Sequence, residues 1–253
     1  VRPVLVCLHA LGSSAREFDA LTAALGDDVE VLAIDLPGFG GAASEPPADV
    51  AGTADRVVAR IAEREPERWF LLGHSMGGKV ASVVAARAAG GDDTLAGLVG
   101  VVLLAGSPPS PEPMDEDRRA RMLAWADPGP LSPGAARAFV DANVGGPLPP
   151  AHDAEAVVDV RRSSPAAWTA WLESGSREDW SDRVGPLDLP ALVVAGGEDG
   201  DLGPDAQARV HGPVYPRARF VTLDGAGHLL PRERPDEVAA LVRELVGSAD
   251  RAP

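Results

Sequence analysis

Trp69-Phe70-Leu71-Leu72-Gly73-His74-Ser75-Met76-Gly77-Gly78-Lys79-Val80-Ala81 is the stretch on which the fold turns. Trp69 to Leu72 reads as a buried strand, and Val80 to Ala89 continues a helix built of small residues. Between them stands Gly73-His74-Ser75-Met76-Gly77, a G-x-S-x-G pattern at a strand-to-helix junction. A serine in so sharp a turn is held in a strained conformation, with its hydroxyl at the mouth of the sheet. Strand and helix can approach only where side chains are small, and Gly73, Gly77, Gly78 and Ala81 supply that room. The helix also points its N-terminal N–H groups and positive dipole end toward any anion forming at the serine. The pentapeptide alone is a weak signal whose bland reading is a glycine-rich turn. The strand before it and the helix after it make Ser75 a candidate nucleophile.

Outward from this junction, apolar runs alternate with helical patterns. The strands expected are Val4 to His9, Val29 to Ile34, Trp69 to Leu72, Leu98 to Ala105, Ala191 to Ala195 and Arg219 to Leu223. Ser14-Ala15-Arg16-Glu17 has capping-box spacing ahead of Phe18, Leu21 and Leu25. A helix follows around Val57 and Ile61, another near Ala206, and a last one from Pro235 to Val246. This rhythm predicts an α/β fold, a mostly parallel central sheet with helices on both faces. From Ser107 to about Pro186 no buried strand appears, only short helical patterns broken by proline and glycine. The division expected is therefore a core domain of 1–106 and 187–253, with 107–186 as a helical cap insertion. That insertion carries Trp125, Trp168, Trp171 and Trp180, and opens on the proline-rich Pro108-Pro109-Ser110-Pro111-Glu112-Pro113.

A serine hydroxyl needs a base to take its proton, and histidine suits that task near neutral pH. Of the five histidines, His228 has the most telling setting. It follows the last strand in the glycine-rich loop Asp224-Gly225-Ala226-Gly227-His228, which can bring a side chain to the carboxyl edge of the sheet. His152 and His211 lack such a setting and read as surface residues. A carboxylate should orient the imidazole and stabilise its cation. Val193-Val194-Ala195-Gly196-Gly197-Glu198-Asp199 places acids directly after a buried strand, with Asp201 close behind and Asp224 as a turn residue.

Gly73-His74-Ser75-Met76-Gly77-Gly78, with His9-Ala10-Leu11-Gly12 upstream and Gly225-Ala226-Gly227-His228 downstream, resembles the α/β-hydrolase superfamily. The nearest likeness is to its cap-bearing esterases, lactonases and cofactor-free perhydrolases, over nearly the whole chain outside the insertion. The resemblance implies the order serine, acid, histidine, and its G-x-x-D pattern falls on Gly196 to Asp199, with Asp201 as the alternative acid. It implies that His9 and His74 shape loops. It also implies an oxyanion hole formed by the backbone N–H groups of Leu11 and Met76. Where the family often has glycine, this chain has Ala10, which adds a methyl beside that hole.

Trp168 and Trp171 lie three apart on a helix opened by Ser164-Pro165. Two readings stand side by side: an aromatic lining for an acyl pocket, or a small core belonging to the cap itself. The net charge of −15 opposes binding to nucleic acid or to an anionic membrane surface. No apolar run reaches the roughly eighteen residues of a membrane span. Val1 to Val6 lacks the charged start and long apolar stretch of a signal peptide. Cys7, the one cysteine, reads as a buried small hydrophobe and fits a reducing cytoplasm.

No cofactor or metal is expected. The expected activity is hydrolysis of a carboxylic ester, or a related apolar acyl compound, through a Ser75 acyl-enzyme with Asp199 and His228. Lactonase, carbon–carbon hydrolase and perhydrolase or haloperoxidase-like chemistry would draw on the same residues. A receptor that captures ligands on the same fold without catalysis is the alternative of a different class.

Overall fold

The computed structural model describes residues 2–127 and 129–249. Its centre is a six-stranded sheet in the order β2-β1-β3-β4-β5-β6. The strands are β1 Val4–Leu8, β2 Glu30–Ile34, β3 Trp69–His74, β4 Leu98–Leu104, β5 Ala191–Gly196 and β6 Ala218–Leu223. Every neighbouring pair is parallel, with Leu8 opposite Ile34 on one side and Gly73 on the other. Around the sheet lie α1 Asp19–Leu25, α2 Val50–Arg64, α3 Met76–Ala89, α4 Glu116–Ala124, α5 Pro133–Asp141 and α6 Pro150–Arg162. The chain continues through α7 Pro165–Glu173, α8 Ser181–Val184, α9 Pro204–His211, α10 Leu230–Glu233 and α11 Pro235–Ala249.

The central strands are buried on both faces, so alternate residues feed two cores. Val6, Leu8, Leu71 and Leu103 pack toward α2 and α3, while Leu5, Cys7, Phe70 and Leu72 pack toward α1 and α11. The helix α2 shows how the pattern works locally. Val50, Ala54, Val57 and Ile61 fall on one face, and Asp49 caps the start by accepting the Gly52 N–H at 2.7 Å.

Two local expectations give way to tertiary contacts. The first strand stops at Leu8, because the His9 ring turns inward and holds the next strand's exit. His9 Nε2 accepts the Leu36 N–H at 3.0 Å, and Nδ1 donates to the Ala10 carbonyl at 2.8 Å. Ser14 does accept the Arg16 N–H, but Glu17 does not close a capping box. Its carboxylate enters the core, where Oε1 accepts the Ala10 N–H at 3.2 Å and meets His74 Nδ1 at 3.0 Å.

Between β4 and β5, among the described residues, the chain forms α4 to α8 and no strand. This segment has no core of its own. Met122, Phe139, Val140 and Leu172 join the same cluster as Leu8 and Leu71. A buried ion cluster helps to hold it down: Asp159 of α6 accepts from Ser14 at 3.0 Å and from Arg232 at 2.9 Å, and pairs with Arg16. From α3, the Lys79 ammonium donates to the carbonyls of Glu178 at 2.7 Å and Ser176 at 3.2 Å. Burial pushes the pKa of Lys79 down to about 8.

Candidate active site

Ser75 sits between β3 and α3 with φ 48° and ψ −118°, a conformation that costs a non-glycine residue about 1–3 kcal/mol. The surroundings over-determine it. The Ser75 N–H donates to the Leu104 carbonyl at 3.0 Å, while its own carbonyl accepts from Gly78 at 2.7 Å and Ser107 at 2.8 Å. Glycine is obligatory on either side because of close approach. A Cβ on Gly73 would lie 2.5 Å from the Gly77 carbonyl oxygen, and one on Gly77 would lie 2.2 Å from that of Leu8.

The loop after β6 delivers His228, and the loop after β5 delivers Asp199. His228 Nδ1 and Asp199 Oδ2 are 2.6 Å apart, and the carboxylate also accepts the Leu202 N–H at 3.2 Å. Burial alone would lower the pKa of His228, yet the Asp199 carboxylate outweighs it and holds the ring above its usual value. For Asp199, burial pushes up, but His228 and the two hydrogen bonds hold the carboxyl below the ordinary range. Both directions describe a charge-assisted hydrogen bond. Asp201 is directed elsewhere, onto Arg118 at 2.6 Å.

Ser75, Asp199 and His228 line one cavity, together with Ala10, Leu11, Glu112, Arg118, Asn143 and Trp171. No hydrogen bond joins Ser75 Oγ to His228 Nε2 at rest, and such bonds commonly tighten only once substrate is bound. Leu11 is 6% and Met76 5% exposed. Neither backbone N–H donates to an acceptor among the described residues. A second cavity shares Trp171 with the first and is also lined by Met76, Leu36, Phe39 and Ala167. Among the described residues, no group of three or more His, Cys, Asp or Glu side chains could hold a metal ion.

Residues 5–241 match the sequence profile described as the alpha/beta hydrolase family. The chain belongs to the alpha/beta hydrolase family. It is 26% identical, over 249 residues, to pimeloyl-[acyl-carrier protein] methyl ester esterase of Neisseria meningitidis serogroup C, covering 94% of this chain and 91% of that relative. It is 28% identical, over 256 residues, to 2-succinyl-6-hydroxy-2,4-cyclohexadiene-1-carboxylate synthase of Klebsiella pneumoniae, covering 97% and 94%. Among solved structures, an esterase from Exiguobacterium antarcticum superposes with a TM-score of 0.82 at 17% identity, over 96% of this chain and 92% of that one. The enol-lactonase from Burkholderia xenovorans does so with a TM-score of 0.79 at 22% identity, over 98% and 90%. At such identities the structural likeness speaks for the fold alone.

Within this alpha/beta hydrolase, several residues depart from their expected settings. Trp168 is fully buried, away from the Ser75 cavity. Its Nε1–H donates to the Met122 carbonyl at 2.9 Å, its ring stands edge-on to Phe139, and a Cβ on Gly12 would come within 2.9 Å of it. It belongs to the core shared with the sheet, neither to a pocket wall nor to a separate cap core. Trp171 lines both cavities.

His211 is fully buried rather than at the surface. It stands four residues after Gln207 on α9, and the two saturate one peptide next to the serine turn. Gln207 accepts the Gly106 N–H at 3.1 Å and donates to the Gly106 carbonyl at 3.0 Å, while His211 Nε2–H donates there at 2.9 Å. Burial lowers the pKa of His211 to about 4, so the ring is neutral. His152 is half-buried beside the Arg232 carbonyl.

Residues that sequence reasoning passed over hold His228 in place. The Asn143 carbonyl accepts the His228 N–H at 2.8 Å and the Leu229 N–H at 3.2 Å. Glu233 accepts from the N–H groups of Gly227, Leu229 and Gly145 at 2.9–3.0 Å. Beneath them, His74 Nε2 faces the His228 carbonyl at 2.8 Å, while Nδ1 faces Glu17. Burial pushes Glu17 up, but its interactions with His74, His9 and Ser13 together hold the carboxyl below its ordinary value.

Proposed function

We propose that this chain is a serine hydrolase that cleaves a carboxylic ester through a Ser75 acyl-enzyme. The observation that carries the reading is the 2.6 Å contact of His228 with Asp199, on the cavity that Ser75 also lines. In the proposed cycle, Ser75 Oγ attacks the ester carbonyl carbon as His228 Nε2 takes the hydroxyl proton. The N–H groups of Leu11 and Met76 hold the oxyanion, each donor contributing about 3–4 kcal/mol of transition-state stabilisation. His228 then gives its proton to the leaving alcohol. Water, deprotonated by the same ring, splits the acyl-enzyme into a carboxylic acid and free Ser75. Asp199 keeps the ring oriented and stabilises its cation throughout.

The preference for an ester rests on the full-length relatives, which include one named as a methyl ester esterase. The apolar part of the lining, which includes Trp171, Met122 and Phe139, suits an acyl group. In this reading α4 to α8 serve as the cap over the site. A cytoplasmic setting is part of the proposal, supported by the single, unpaired and buried Cys7. A panel of p-nitrophenyl esters of increasing acyl length tests the proposal. Turnover by the wild type that Ser75→Ala abolishes supports it; equal turnover by both proteins refutes it.

A further inference from the structure

The proline-rich run at the start of the helical segment has no part in the triad, yet it delivers a carboxylate to the catalytic cavity. Glu112 stands between Pro111 and Pro113, which restrict the backbone on both sides. Its N–H donates to the Ser176 carbonyl at 2.8 Å, and its own carbonyl accepts the Met114 N–H at 2.8 Å. The side chain lines the Ser75 cavity. One oxygen, Oε2, accepts from the buried Ser107 hydroxyl. The other, Oε1, has no hydrogen-bond partner among the described residues, and Glu112 is half-buried.

The neighbouring charges sharpen the point. Arg118 is engaged by Asp201 at 2.6 Å and by Asn143 at 3.0 Å. Asp199 is engaged by His228. Lys79 spends its protons on two carbonyls. Glu112 thus lines the cavity as a carboxyl with no ion-pair partner among the described residues. Burial pushes its pKa above the ordinary carboxylate value, with the Ser107 hydrogen bond and Lys79 opposing. A group so placed gains from any donor that arrives beside it and loses from another negative charge.

We propose that Glu112 selects substrate: Oε1 accepts a hydrogen bond from a hydroxyl or ammonium group carried by the ester, and rejects an ester with a carboxylate at that end. This rests on the reading of Ser75 as the nucleophile of an ester hydrolase. A hydrogen bond to a charged acceptor changes selectivity by roughly tenfold to a hundredfold.

Four esters of similar size test it: methyl butyrate, methyl 3-hydroxybutyrate, methyl 3-aminobutyrate and monomethyl succinate, each followed by acid release in the wild type, Glu112→Gln and Glu112→Met. The expected result is a higher kcat/KM for at least one donor-bearing ester than for methyl butyrate, with monomethyl succinate the poorest. In Glu112→Met the ratio of donor-bearing to plain ester falls by about tenfold or more. Glu112→Gln keeps an acceptor without charge, so a preference for hydroxyl largely survives there and one for ammonium does not. A uniform loss across all four esters in both variants overturns the proposal and makes Glu112 a counter-charge for Lys79. Should the wild type turn over none of these four nor any p-nitrophenyl ester, the hydrolase reading fails. Calorimetric binding of the four esters to Ser75→Ala, with and without Glu112→Met, decides the selectivity by itself: equal binding overturns it.

Discussion

Glu17→Gln probes how the site is held together. In the native chain one oxygen, Oε1, accepts both the Ala10 N–H at 3.2 Å and the His74 Nδ1–H at 3.0 Å. Glu17 is 2% and His74 0% exposed. A glutamine keeps such an oxygen but loses the carboxylate charge. If that oxygen faces both donors, both hydrogen bonds lose their charged acceptor. If its amide nitrogen turns to His74, the Ala10 N–H is left unpaired one residue from the Leu11 donor. An unpaired buried donor costs about 1–3 kcal/mol, and a hydrogen bond to a charged group contributes about 1.5–3 kcal/mol, so either arrangement costs about 2–3 kcal/mol. For a chain of this size that lowers Tm by roughly 4–12 °C.

Urea and thermal unfolding at neutral pH measure this directly. The pH dependence is a second check. A carboxyl held below its unfolded value contributes its full stability above about pH 4.3, and loses it as pH falls through the folded value. The gap between wild type and variant therefore closes in acid. A variant within about 0.5 kcal/mol of the wild type at neutral pH, the range of surface changes, refutes the stabilising role of the Glu17 charge, as does a gap that persists in acid.

Asp199→Asn should cut kcat by about 10⁴-fold, as expected when the imidazole loses its orienting charge, and should move the acid limb of kcat/KM to lower pH, because Asp199 holds the His228 pKa up. Asp201→Asn should retain most of the activity, and a pH–rate comparison of the two checks both. Trp168→Ala should cost about 3–5 kcal/mol of stability, read by urea denaturation. Trp171→Ala should instead enlarge the space at the two cavities that Trp171 lines and shift the preferred acyl length upward on the p-nitrophenyl series.

The alternation of strands and helices was legible because the central strands are buried on both faces and so read as continuous apolar runs, as in Val4 to Leu8 and Leu98 to Leu104. The serine turn, the loop carrying His228 and the loop carrying Asp199 were legible for a related reason. Each places a polar residue abruptly after an apolar strand, flanked by glycine. What stayed hidden depends on contacts between distant parts of the chain. Glu17 has the spacing of a cap, and nothing near it in sequence announces His74, brought beside it by the pairing of β1 with β3. Glu112, Asn143 and Glu233 act on the site across loops with no periodicity. His211 was hidden for a simpler reason: only its spacing of four from Gln207 hints at a shared buried face, and that spacing is common on exposed helices.

The account turns on Ser75, a residue held at φ 48° on the rim of a cavity beside His228. Treatment with a fluorophosphonate, followed by mass spectrometry of the peptide spanning Gly73 to Lys79, tests it most directly. The account predicts a single phosphonylated adduct on Ser75, formed in step with loss of ester turnover and absent from Ser75→Ala. An unlabelled Ser75 in a protein that still hydrolyses esters, or an adduct at another residue, contradicts it.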